Sequence, residues 1–216
     1  MKIAVVADPQ LMDKTSLGLP PKSLALEISQ FYTDLFMRRA FLASILPLKP
    51  DAILFLGDYF DGGPSLSDEE WKESSSRFKH IFDLKTQGKR NIQVYHLSGN
   101  HDIGYASVLS HKPEVVRRYE QEFGIRNYRF TVGKVEFVVV DAQTLDGHSQ
   151  GSLTSASWDF IKNVSMDVNL NPRVLLTHIP LYRPDWTTCG PYRYSPVINQ
   201  VLFGSALTET LKAYSP

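Results

Sequence analysis

Four apolar runs in this chain end in side chains that can hold a divalent cation. Residues 2–7 deliver Asp8 and Gln10, residues 52–57 deliver Asp58, residues 92–99 deliver Asn100, His101 and Asp102, and residues 173–177 deliver His178. Carboxylate and amide oxygens with imidazole nitrogen suit hard or borderline ions such as Mn²⁺, Fe²⁺ or Zn²⁺. The set contains no cysteine, which argues against a structural zinc finger. Asp58 has two oxygens and could bridge two ions ~4 Å apart, a spacing that clamps a phosphoryl group and activates water for in-line attack. Each residue alone has a plain structural reading: Asp8 as a turn cap, Asn100 in a left-handed turn, His178 as a core histidine. Their joint occurrence at four strand ends, three of them in Gly- or Pro-containing turns, favours a metal site.

The elements that must position these groups alternate between strand and helix. Apolar residues Leu24, Ile28, Phe31, Leu35, Leu42 and Ile45 recur at helical spacing over residues 23–46 and are expected in the core, with Pro47 ending the helix. Ser67-Asp-Glu-Glu70 has capping-box spacing and opens a helix to about residue 84. Pro113 starts a helix that Gly124 stops, and Gly133-Lys134 joins two strands, 128–132 and 135–140, into a hairpin. A helix over 154–164 takes Thr154 or Ser155 as its cap. Beyond Arg183, Pro184, Pro191 and Pro196 break regularity, and 197–214 is weakly helical. The pattern predicts one mixed-sheet α/β domain over residues 1–216.

At 216 residues the chain can bury one sizeable core. Its formal net charge of +0 gives no general steering toward nucleic acid or an anionic membrane. The single cysteine, Cys189, excludes an internal disulfide framework. No run approaches the ~20 apolar residues of a bilayer span, and Met1 leads directly into a strand, so neither a transmembrane segment nor a signal peptide is expected. Asn163-Val-Ser165 is a glycosylation sequon, which points toward a secretory compartment.

Asp8-x-Gln10, Gly57-Asp58-x-x-Asp61, Gly99-Asn100-His101-Asp102 and Thr177-His178 together resemble the ordered motifs of calcineurin-like metallophosphoesterases, over about residues 2–200. Asp-Pro-Gln, Gly-Asp-x-x-Asp-Gly-Gly and His178-Ile-Pro-Leu-Tyr-Arg183 are similar to one subgroup, the membrane phosphoesterases that remove ethanolamine phosphate from glycosylphosphatidylinositol (GPI) anchors, typically with Mn²⁺. The resemblance implies a four-layer αββα fold and two divalent ions. It places Asp8 on the first ion, Asp58 between both, and Asn100 and His178 on the second, with a metal-held hydroxide as attacker. His101 would stand at the leaving group, Asp102 would orient His101, and Arg183 is a candidate phosphate contact. A phosphoester, borne by a GPI-anchored protein or glycolipid, is the implied partner. The implied location is the ER/Golgi membrane for a GPI-type parent and the cytoplasm otherwise.

Two departures qualify the expectation. Gln10 replaces the usual histidine and is a weak ligand or none. No Gly-His-x-His motif follows His178, and residues 201–216 match nothing. A C-terminally incomplete domain is therefore expected, with loosely held ions and unpaired sheet edges. Beside the hydrolase stand two alternatives: a remnant that only binds, and a cytosolic phosphatase or nuclease of the same superfamily. The absence of a basic stretch gives the nuclease little support.

Overall fold

The computed structural model describes residues 1–84, 91–105, 112–145, 151–168 and 171–181. Arg183, Cys189, His111, His148 and the segment 197–214 lie outside the described residues. Among the described residues, short apolar runs form two three-stranded sheets. In the first, β1 (Ile3–Val6), β2 (Ala52–Phe55) and β3 (Gln93–His96) are all parallel, with β2 in the centre. In the second, β4 (Tyr128–Val132) and β5 (Val135–Val139) make the expected hairpin, and β6 (Arg173–Leu176) runs parallel to β5 along its other edge. Among the described residues β6 pairs with β5 alone, and its Val174 and Leu175 are exposed.

Among the described residues five α-helices complete the frame: α1 (Leu24–Ala40), α2 (Asp68–Ile81), α3 (Asn100–Ile103), α4 (Pro113–Phe123) and α5 (Ser152–Met166). The period-2 alternation of β2 fixes the layering. Ile53 and Phe55 point into a core shared with Trp71, Phe78 and Ile81 of α2 and Val115, Val116 and Tyr119 of α4. Ala52 and Leu54 point the other way, against Val132 and Phe137 of the second sheet. Val138 and Val140 turn outward onto Trp158, Ile161 and Val164 of α5. The order is helices, sheet, sheet, helix, the four-layer αββα arrangement that the motifs imply.

Local chemistry sets the helix ends. Ser67 Oγ accepts from Glu70 N while Glu70 accepts from Ser67 N, so the capping box is formed in full. Gly124 ends α4 with φ 96°, a conformation that costs a glycine little. Two expectations need correction. Thr154 is not a cap: α5 starts two residues earlier, after Gly151, and the Thr154 hydroxyl is drawn to the buried carbonyl of Thr144 at 2.8 Å. Much of the apolar stripe of α1 is not core. Leu24, Phe31 and Phe36 are 72%, 62% and 63% exposed, and Ile28 and Tyr32 are exposed with them. The inward face is carried by Leu26, Met37 and the following Phe41, and Leu42 and Ile45 of the expected stripe do pack against the core. Near Pro47, which lacks an N–H, the helix widens into a π turn over Phe41–Ile45 and then tightens into a 3₁₀ turn over Leu46–Leu48.

His96 on β3 is packed in the aromatic core, its ring stacked on Phe55 at 5.5 Å, with Nδ1 3.1 Å from the Tyr59 hydroxyl. Desolvation, with the Lys79 charge in support, lowers its pKa to about 4. The folded protein therefore holds this ring neutral while the unfolded chain protonates it near 6.5, so stability falls as pH drops through that window. Urea unfolding should show a loss of about 2 kcal/mol from this group between pH 7 and pH 5. The His96 ring resonances should remain those of neutral imidazole until about pH 4.

Candidate metal centre

Beyond the C-terminal ends of β1 and β2 the two segments continue side by side. Asp8 N donates to Gly57 O, Gln10 N to Asp58 O, and Leu11 N to Tyr59 O. Asp8, Gln10 and Asp58 occupy left-handed backbone conformations, with φ of 51°, 39° and 56°. Such conformations are uncommon for non-glycine residues and cluster at functional sites. Two glycines permit the close approach of the strand ends. A Cβ on Gly57, itself at φ 96°, would lie 2.7 Å from Gly99 N and 2.9 Å from His178 Nδ1. A Cβ on Gly99 would overlap the amide nitrogen and the carboxylate of Asp58.

Asp102 on α3 is completely buried and does not orient His101 as expected. Its Oδ2 accepts from Asp58 N and Gly99 N, both at 2.8 Å, and its Oδ1 from Tyr59 N at 2.7 Å. All three donors are backbone amides of the loops after β2 and β3, so the carboxylate fastens those loops to each other. Burial first, then the charge of Asp58, raise its pKa to about 7, while the three N–H donors pull it down. The His101 ring instead meets Asp61: Nδ1 bonds the Asp61 backbone oxygen and lies 3.7 Å from Oδ1. A carbonyl can only accept, so Nδ1 carries the proton. Asp61 was within the Gly-Asp-x-x-Asp motif without a role, and its spacing was the signal that could have assigned one. Leu56, whose carbonyl holds His178, had no such signal, because a backbone oxygen leaves no mark on residue type.

The Asp58 carboxylate is gripped from several sides. Its Oδ1 accepts from His101 N at 2.8 Å, while Oδ2 is 3.2 Å from Gln10 Nε2 and 3.3 Å from His178 Nε2. His178 Nδ1 lies 2.7 Å from Leu56 O, which directs Nε2 toward Asn100 Oδ1 at 3.2 Å and toward Asp58. One ligand atom each from Asp8, Asp58 and His178 falls within 4.8 Å of the others. Desolvation opposes ionisation of Asp58, but the hydrogen bond and charge of His178 with the His101 N–H leave its pKa below the ordinary value. Desolvation likewise opposes a charged His178, yet Asp58, Leu56 O and Asp8 raise its pKa to about 9.

This donor set fits a divalent cation. Two carboxylates, an amide oxygen and an imidazole converge, and the imidazole is held at Nδ1 by a carbonyl, which frees Nε2 for coordination. The negative field that retains a proton on Nε2 would equally retain a metal. Asp8, Asp58, Asn100 and His178 are thus brought together. Gln10 joins them through its amide nitrogen, bonded to Asp58. His101 stands on the Asp61 side of the same loop.

Over residues 1–207 the sequence matches the profile described as calcineurin-like phosphoesterase. The chain belongs to that family. Calcineurin-like phosphoesterases are hydrolases of phosphoric esters that use divalent metals. It is 32% identical over 195 residues to Cell division control protein 1 of Saccharomyces cerevisiae, covering 90% of this chain and 38% of the relative. It is 30% identical over 186 residues to Metallophosphoesterase 1 of Danio rerio, covering 77% and 47%. It is 26% identical over 207 residues to Metallophosphoesterase 1 homolog of Drosophila melanogaster, covering 88% and 52%. The chain therefore spans about half the length, or less, of these calcineurin-like relatives. Among the described residues no helix is long and apolar enough to cross a membrane.

The close packing of Gly99 on Asp58 gives a direct test. Gly99→Ala adds one methyl group where Asp58 sits and should displace that carboxylate. Mn²⁺ titration should register at least a tenfold weaker affinity. Unfolding should register a loss of about 1–3 kcal/mol, the cost of a methyl forced into packed surroundings.

Proposed function

We propose that this site hydrolyses phosphoric esters with two divalent ions, Mn²⁺ in the native state, and that its substrate class is the ethanolamine phosphate of GPI anchors. The observation that carries the hydrolytic reading is Asp58, whose Oδ2 lies 3.2 Å from Gln10 Nε2 and 3.3 Å from His178 Nε2, between the residues assigned to the two ions. Asp8, with Gln10 as a weak ligand, would complete one ion. Asn100 and His178 would complete the other. When bound, such ions polarise the phosphoryl oxygen and activate water for in-line attack. His101 acts on the leaving side: with Nδ1–H held on Asp61 O, Nε2 is the nitrogen left for the reaction, and it passes a proton to the departing alkoxide when the ring is in its doubly protonated, imidazolium form. Asp102 contributes by holding Asp58 and Gly99 in register.

The finer substrate assignment is supported by Asp-Pro-Gln, Gly-Asp-x-x-Asp-Gly-Gly and His-Ile-Pro-Leu-Tyr-Arg, the features that resemble the GPI-remodelling subgroup. It carries an ER or Golgi membrane location for the parent protein, and Arg183 as a candidate phosphate contact. A second reading, a domain that binds without turnover, is favoured by one observation. Among the described residues His178 is the sole histidine of the donor cluster, since His80 lies on α2 and His96 in the aromatic core.

Metal analysis and turnover separate the two. The hydrolase reading expects near-stoichiometric Mn²⁺ and hydrolysis of an aryl phosphate ester, with Asp58→Ala losing the metal and at least 100-fold in rate. An inactive, metal-free wild-type chain would leave the binding reading. Release of ethanolamine phosphate from a synthetic mannosyl ester, in preference to the aryl ester, tests the substrate class.

A further inference from the structure

One buried cation that the mechanism leaves unused is Arg118 on α4. Its side chain is only 11% exposed. It stacks on the Trp71 ring at 4.7 Å, donates through Nη1 to Leu66 O at 2.8 Å, and donates through Nη2 to Gly63 O. Its Nε is buried with no partner, and its nearest carboxylate is the exposed Asp68, 3.4 Å from Nη1. A buried cation neutralised chiefly by carbonyl dipoles is a poor stability device. Apolar replacement of buried charge is often neutral or stabilising.

What the guanidinium does hold is the backbone of residues 63–66, a 3₁₀ turn, from both ends. Lys112 Nζ adds a 3.3 Å contact to Pro64 O from the same side. This turn touches the catalytic segment directly: a Cβ on Gly63 would lie 2.8 Å from Asp102 O and would overlap His101 O. Two residues upstream, Asp61 O receives Nδ1 of His101. The other side of that loop is fastened independently, by Asp13 Oδ2 to Gly62 N at 2.7 Å and by Ser16 Oγ to Asp61 Oδ2 at 2.6 Å.

We infer that Arg118 is a positioning residue for His101: by drawing in the carbonyls of Gly63 and Leu66 it holds the Asp61 carbonyl against Nδ1, and so fixes the tautomer that exposes Nε2 to the leaving group. The inference deepens the hydrolytic reading above. Its test requires neither metal nor turnover, so an inactive chain would overturn that reading without touching this one.

The tautomer is read by ¹⁵N–¹H correlation spectra of the histidine rings in the purified chain at pH 8, with His101 assigned through His101→Gln. Wild-type His101 should be found in the Nδ1–H form. In Arg118→Met it should shift to the Nε2–H form or to a mixture, with a thermal midpoint equal to or above that of the wild type. Arg118→Lys, which keeps the charge and can reach one carbonyl, should lie between the two and decides the matter if Arg118→Met fails to fold. A wild-type ring in the Nε2–H form, or an Nδ1–H form that persists in whichever folded variant decides, would overturn the inference.

Discussion

The site depends on one buried carboxylate. The ladder of the first sheet stops where β2 and β3 end, and past that point the N–H groups of Asp58, Tyr59 and Gly99 have no strand to bond. Asp102 takes all three. Left unpaired at this depth, each would cost about 1–3 kcal/mol. The exchange is reciprocal, because Asp58 Oδ1 accepts the amide of His101, one residue before Asp102. Each loop thus satisfies the other, and Asp58 is held by backbone bonds at both its own amide and its carboxylate.

That rigidity allows the strain around it to persist. Asp8, Gln10 and Asp58 sit at positive φ, conformations that cost of order 1–3 kcal/mol each for non-glycine residues. They are held there because the loop after β1 keeps bonding the loop after β2, residue by residue, out to Leu11 and Tyr59. The return on that strain is direction. Asp8 and Asp58 converge on His178, and their joint field keeps its imidazole charged up to about pH 9. Gly57 and Gly99 are part of the same bargain, since a side chain at either would enter the space that the converging groups occupy.

How much of this was legible follows from how local each determinant is. The capping box at Ser67, the Gly133-Lys134 hairpin and the Pro113-to-Gly124 helix are written within a few residues, and the structure reproduces them. The αββα layering and the strand-end donors were likewise legible through the motifs. Periodicity gave α1 an apolar face but not its direction: a helix with Leu26 and Met37 on one side and Leu24, Ile28 and Phe31 on the other satisfies the same spacing twice. The task of Asp102 was hidden for a different reason. Its partners are backbone amides, and an amide is the same in every residue, so only the meeting of two loops distant in sequence could reveal them.

The two site histidines show how far backbone geometry reaches into chemistry. His178 and His101 come from different segments, yet both rest Nδ1 on a carbonyl of the loop around Asp58: Leu56 O before it and Asp61 O after it. Both therefore present Nε2, and what differs is what Nε2 faces. For His178 it is Asn100 and Asp58, a donor cluster that suits a cation. His101, beside Asp61 at the loop's other flank, lies outside that cluster. One loop of six residues thus receives both Nδ1 atoms, and Asp102, by holding Asp58 and Tyr59 within it, braces both contacts.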